Sequence, residues 1–104
     1  MLDFLNSFLN RHPENMKANV EIYTWATCPF CIRAKLLLWW KGVTFTEYKI
    51  DGDEQARDKM AQRANGRRSV PQVFVNNSHL GGCDDIYKLD GQGQLDPLLI
   101  QSPG

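Results

Sequence analysis

Two cysteines three positions apart, Cys28 and Cys31, stand where a β-prone run gives way to a helix-forming one. That junction constrains the fold more than any other feature of the chain. Before it, Val20-Glu21-Ile22-Tyr23-Thr24 alternates apolar and polar residues and predicts a strand. After it, Pro29 to Lys41 predicts a helix, with Pro29 suited to the first helical position and Gly42 as the stop. Ile32, Leu36, Trp39 and Trp40 are expected to share its buried face. Leu37 and Leu38 widen that stripe, so cover on more than one side is expected.

Beyond this unit the alternation continues. Val43 to Ile50 is a second β-prone run, broken by Asp51-Gly52. Asp53 can cap a polar helix to about Ala64, with Asn65-Gly66 as its terminator. Gln72-Val73-Phe74-Val75 reads as a continuous apolar strand, and Asn76-Asn77 as a two-residue turn into a short strand over Ser78 to Leu80. Gly81-Gly82 opens a helix at Cys83-Asp84-Asp85, and Asp96-Pro97 a last short one, with Asp96 as cap. The order β-α-β-α-β-β-α predicts an α/β domain with a mixed sheet. A parallel βαβ unit is joined in it to an antiparallel hairpin.

Length and charge narrow the class. The 104 residues suit one domain, and 42% hydrophobic content suffices for one modest core. Twelve basic residues balance twelve acidic ones, which argues against nucleic acid or an anionic membrane as partner. The longest apolar run, Leu36 to Trp40, is too short to span a bilayer. Three cysteines, two of them close together, do not resemble a secreted disulfide framework. With no secretory or transit signal at Met1-Leu2-Asp3-Phe4, a cytoplasmic protein is expected. Residues 1–17 form an N-terminal extension, a short helix or tail in which Leu2, Leu5, Phe8 and Leu9 can share a face. The domain proper is expected over 18–101, with 102–104 as a tail, and Met16 is an alternative start.

The chemistry gathers around three motifs. In Cys28-Pro29-Phe30-Cys31 the first cysteine lies at a helix N-terminus, where unpaired amides and the helix dipole favour a thiolate. Cys28 is therefore the expected nucleophile. Cys31, one turn further in, is the expected resolving thiol. A zinc site would have to recruit Cys83 with His12 or His79, and the strand-to-helix setting speaks against it, so no metal is expected. Ser69-Val70-Pro71 precedes the buried strand. A cis bond before Pro71 would turn the Val70 backbone toward the cysteine turn, ready to pair with an extended substrate. Arg67 and Arg68, just upstream, are the cationic candidates for a substrate carboxylate. Gly81-Gly82-Cys83-Asp84-Asp85 offers helix-terminal amides to a second carboxylate, and Asp84 can take an ammonium. A ligand with a carboxylate at one end, an α-amino acid head at the other and sulfur between matches glutathione.

In this order the three motifs resemble the dithiol glutaredoxins of the short bacterial class, over about Val20 to Leu99. Tyr48-Lys49-Ile50-Asp51 and Leu95-Asp96-Pro97-Leu98 add to the resemblance. It implies a thioredoxin-like fold with a four-stranded mixed sheet flanked by helices. It also implies reduction of protein disulfides and glutathione mixed disulfides, with turnover by glutathione, glutathione reductase and NADPH. Carried over by position, Cys28 accepts glutathione and Cys31 resolves. Phe30, Arg67, Ser69, Val70, Pro71, Gly82, Cys83 and Asp84 contact the tripeptide. The resemblance further implies a monomer acting on disulfide-bonded or glutathionylated proteins. Two departures stand out: Phe30 replaces a usual tyrosine, and Trp25 replaces a usual lysine.

Overall fold

The computed structural model describes residues 16–103. Of the expected N-terminal extension over residues 1–17, residues 1–15 lie outside them. Eight elements follow in order: β1 (Val20–Thr24), α1 (Pro29–Trp40), β2 (Phe45–Lys49), α2 (Glu54–Arg63), β3 (Gln72–Val75), β4 (Ser78–Gly81), α3 (Cys83–Gly91) and α4 (Leu95–Ile100). The four strands form one sheet in the order β2-β1-β3-β4. β1 pairs parallel with β2 and antiparallel with β3, and β3 pairs antiparallel with β4. This is the expected mixed sheet.

Local signals act where they were read. Asp53 caps α2 by accepting the Ala56 N–H at 3.0 Å. Asn65 and Gly66 leave that helix with φ of 56° and 88°, the left-handed conformation in which Gly and Asn carry the smallest penalty. Asn76 and Asn77 turn β3 into β4 with φ of 50° and 68°, the sign pattern of a tight hairpin. Asp96 does not do what was expected of it. α4 begins at Leu95, two residues before the expected first helical residue Pro97, and the Asp96 carboxylate lies 2.9 Å from the Lys41 ammonium instead of capping the helix.

The core lies between the sheet and α1, α3 and α4. Val20, Ile22, Val73 and Val75 meet Ala34, Leu38, Ile86, Leu95 and Leu99 there. This requires a correction to the reading of α1. Its buried residues are Cys31, Ala34, Leu37 and Leu38, whereas Ile32, Leu36, Trp39 and Trp40 are exposed. At about 100° per residue the two sets lie roughly half a turn apart, so both satisfy helical periodicity and periodicity cannot rank them. Burying the face with Ala34 puts a small side chain against the sheet and brings Cys31 inward. The same rotation draws Lys41 under the domain, where Asp90 and Asp96 neutralise it. Upstream of β1, Met16 packs against the core and the Ala18 N–H donates to the Leu99 carbonyl at 3.0 Å.

Candidate active site

The turn carrying Cys28 is held from two sides. The Ile50 N–H donates to the Thr24 carbonyl at 2.9 Å, and the Asp51 carboxylate accepts the Ala26 N–H at 2.8 Å. β2 thus fixes the exit of β1, and the chain enters α1 with Cys28 as the N-cap residue. The Cys28 sulfur accepts the Cys31 N–H at 3.2 Å, a contact that strengthens when the sulfur carries charge. Its own thiol points at the Val70 carbonyl, 4.0 Å away. Cys28 is partly exposed and Cys31 is buried. Burial, together with the hydrogen bond to Cys28, pushes the Cys31 thiol up to about 12. The two sulfurs therefore differ in access.

Opposite this turn the chain enters β3 through a cis Val70–Pro71 bond. A cleft of about 130 Å³ opens there, bordered by Phe30, Arg67, Ser69, Val70, Pro71, Gly82, Cys83, Asp84 and Asp85. Eight of these nine are the residues the sequence put forward for ligand contact. They come from three separate stretches of chain: the first turn of α1, the loop before β3, and the start of α3. Gly82 keeps the floor open, since a Cβ there would stand 3.2 Å from the Pro71 carbonyl oxygen and 3.4 Å from the Arg67 guanidinium. Gly81 has φ of 118°, and a side chain on it would collide with Asp85.

The ninth residue, Asp85, was missed. Its carboxylate accepts the Gly82 N–H at 2.8 Å and pairs with Arg67 at 2.9 Å, so it ties the start of α3 to the loop before β3. The Arg67 and Gly82 bonds hold its pKa below the ordinary carboxylate value. A helix-capping residue followed three positions later by an acid was a readable signal for it. Arg68, the other cationic candidate, is not in the cleft. It turns to α2 and pairs with Asp58 at 2.7 Å and Glu54 at 3.1 Å. Trp25 does not border the cleft either; the Arg57 guanidinium sits 4.5 Å over its ring. Cys83 is buried at the cleft edge, and burial pushes its thiol up. Among the described residues no group of three or more His, Cys, Asp or Glu side chains could hold a metal ion. No described helix is long and apolar enough to cross a membrane.

A four-stranded mixed sheet, with a cysteine pair where β1 runs into α1, defines the thioredoxin-like fold. Within that fold the chain belongs to the glutaredoxin family, whose profile matches residues 20–80. It is 64% identical over 103 residues to the probable glutaredoxin slr1562 of Synechocystis sp., covering 99% of this chain and 94% of that one. It is 58% identical over 82 residues to glutaredoxin 3 of Escherichia coli K12, covering 79% and 98%. A crystal structure of a buckwheat glutaredoxin–glutathione complex superposes with a TM-score of 0.72 at 26% identity, covering 94% of this chain and 86% of that one. The protein is a thiol–disulfide oxidoreductase.

Proposed function

We propose that this oxidoreductase is glutathione-dependent and works as a dithiol enzyme, with Cys28 as nucleophile and Cys31 as resolving thiol. The observation that carries the reading is the cleft beside Cys28. It gathers a guanidinium, an extended backbone segment and a helix N-terminus within reach of one partly exposed sulfur. Arg67 faces one carboxylate of the tripeptide. The Val70 backbone pairs with its cysteine, and the Cys83 amide, with Asp84, takes its γ-glutamyl head. The buckwheat relative, solved with glutathione, supports the same choice of ligand.

The chemistry is thiol–disulfide exchange. On a glutathionylated protein, Cys28 attacks the glutathione sulfur; the S–S bond breaks, the protein leaves as a thiolate, and Cys28 is joined to glutathione. A second glutathione attacks that sulfur and leaves with the first as glutathione disulfide, returning Cys28. On a protein disulfide, Cys28 forms the mixed disulfide first and Cys31 then attacks the Cys28 sulfur, releasing the second substrate thiol. Two glutathiones reduce the resulting Cys28–Cys31 disulfide. The high Cys31 pKa suits that order, because a thiol kept protonated does not compete for the first attack. Regeneration by glutathione reductase and NADPH, a monomeric state and a role in cytoplasmic redox homeostasis complete the proposal.

The deciding experiment is an assay on a small glutathione mixed disulfide, coupled to glutathione reductase. Turnover that saturates with the mixed disulfide supports the reading. Turnover only with thioredoxin reductase as the reductant source would overturn it.

A further inference from the structure

Behind the Ser69-Val70-Pro71 loop runs a chain of polar side chains that the proposed reaction does not use. Gln72 is fully buried at the start of β3. A side-chain amide buried in a sheet is costly unless it is bonded, and an aliphatic residue would fill the space without that cost. The Gln72 amide turns back along its own chain and donates from Nε2 to the Ser69 carbonyl at 3.0 Å and to Ser69 Oγ at 3.3 Å. Its Oε1 meets His79 Nε2 at 2.6 Å, and His79 Nδ1 meets Asn65 Nδ2 at 3.2 Å.

The ends of this chain set its polarity. The Ser69 carbonyl can only accept, so Gln72 presents Nε2 to it and Oε1 to the histidine. His79 Nε2 then carries the proton, and Nδ1 accepts from Asn65. Burial, and after it the Arg67 charge, lowers the His79 pKa, in keeping with a neutral ring. The register explains how the ring reaches Gln72. The hairpin register that pairs Val75 with Ser78 sets His79 opposite Phe74, on the sheet face that Gln72 shares. The two rings lie 5.2 Å apart.

The loop requires such support. The ladder from β1 to β3 ends at Tyr23 and Gln72, and the ladder to β4 ends at Val73 and Gly81. Ser69, Val70 and Pro71 lie beyond both, so the sheet does not fix them. We propose that Gln72 and His79 are positioning residues: they hold the Ser69 carbonyl, and through it the Val70 backbone, in register for the cysteine of a bound glutathionyl group. This rests on the glutathione reading above. Neither side chain borders the cleft, so both act through Ser69.

The test uses full-length Gln72→Met, His79→Leu and His79→Gln variants, assayed on the mixed disulfide of glutathione and 2-mercaptoethanol, with melting temperatures measured alongside. Loss of the amide should raise KM about tenfold in Gln72→Met and about threefold in His79→Leu, with kcat within about twofold. His79→Gln should stay within about twofold on both constants, because a glutamine amide nitrogen can stand in for Nε2–H. If Gln72→Met does not fold, the two His79 variants decide. An unchanged KM in His79→Leu, or equal losses in His79→Leu and His79→Gln, overturns the positioning role while active wild-type protein leaves the glutathione reading standing. Wild-type protein without glutathione-dependent turnover overturns both.

Discussion

Two helices begin at this cleft with a cysteine, and only one of those cysteines is placed to react. Cys28 caps α1 from outside the helix, on a turn held by Thr24 and Asp51, and its sulfur is partly open to solvent. Cys83 is the first residue of α3 and its side chain is buried at 4% exposure. One position along a helix start separates a sulfur that reaches solvent from one that packs inward. In the proposed mechanism the side chain acts at α1 and the backbone at α3, where the Cys83 thiol is buried. Residue type and helix terminus are shared; burial decides which thiol can meet a disulfide.

Breaking the α1 end should have the largest effect. Cys28→Ser is expected to abolish turnover on both glutathione mixed disulfides and protein disulfides. Cys31→Ser should keep the first and lose the second, since only the dithiol route needs a resolving thiol. Parallel kinetics on the two substrates check this, and equal loss on the mixed disulfide in both variants would reverse the assignment.

The α3 end should be sensitive in its backbone. Gly81→Ala forces a Cβ into Asp85 at a positive φ, and it should cost about 1–3 kcal/mol of stability. It should also weaken glutathione binding, because Asp85 anchors Arg67. Thermal unfolding and KM for the mixed disulfide, measured on the same preparation, test both consequences. If stability falls with KM unmoved, Asp85 does not organise the cleft.

A smaller effect is expected from acid. The Asp85 carboxyl is held below its ordinary value of 3.8, so its stabilisation is fully present above that value and is lost as pH falls through the lower folded-state value. Asp85→Asn should therefore reduce stability at neutral pH by under about 1 kcal/mol, given the exposure of the pair, and the difference from wild type should shrink toward pH 3. Urea unfolding at a series of pH values reads this directly. Smallest of all should be Cys83→Ser. Turnover within a few-fold of wild type is expected, since serine supplies the same N–H, and a collapse of dithiol activity would mean the comparison between the two cysteines is wrong. Trp25→Lys sharpens the same contrast from the α1 side. Trp25 points to Arg57 and not into the cleft, so the lysine should lower KM for the mixed disulfide only modestly, by about 1 kcal/mol or less.

Much of this was legible in the chain because it is written in local chemistry. The Asp53 cap, the Asn65-Gly66 stop and the Asn76-Asn77 turn depend on a few neighbouring residues, and each occurs where those residues predict it; the strands do too, though β2 covers only Phe45–Lys49 of the expected Val43 to Ile50 run. The cysteine pair at a strand-to-helix junction, and the family resemblance carried by three motifs in order, pointed to the site before any contact was known. Other features could not be read that way. Ile32, Leu36, Trp39 and Trp40 make as regular a helical face as Cys31, Ala34, Leu37 and Leu38, and only packing against the sheet chose the second set. Arg67 and Arg68 are adjacent and chemically equal, yet one turns to Asp85 and the cleft while the other turns to Asp58 and Glu54 on α2. The Arg67–Asp85 and Gln72–His79 contacts join residues 18 and 7 positions apart, beyond the reach of local pattern. Sequence by itself determined the elements, their order and the reactive motif, because propensity, capping and turn chemistry act over a few residues. Which face is buried, which arginine turns to the cleft and what bonds the Ser69 carbonyl were decided by the tertiary structure, because each depends on partners that only the fold brings into contact.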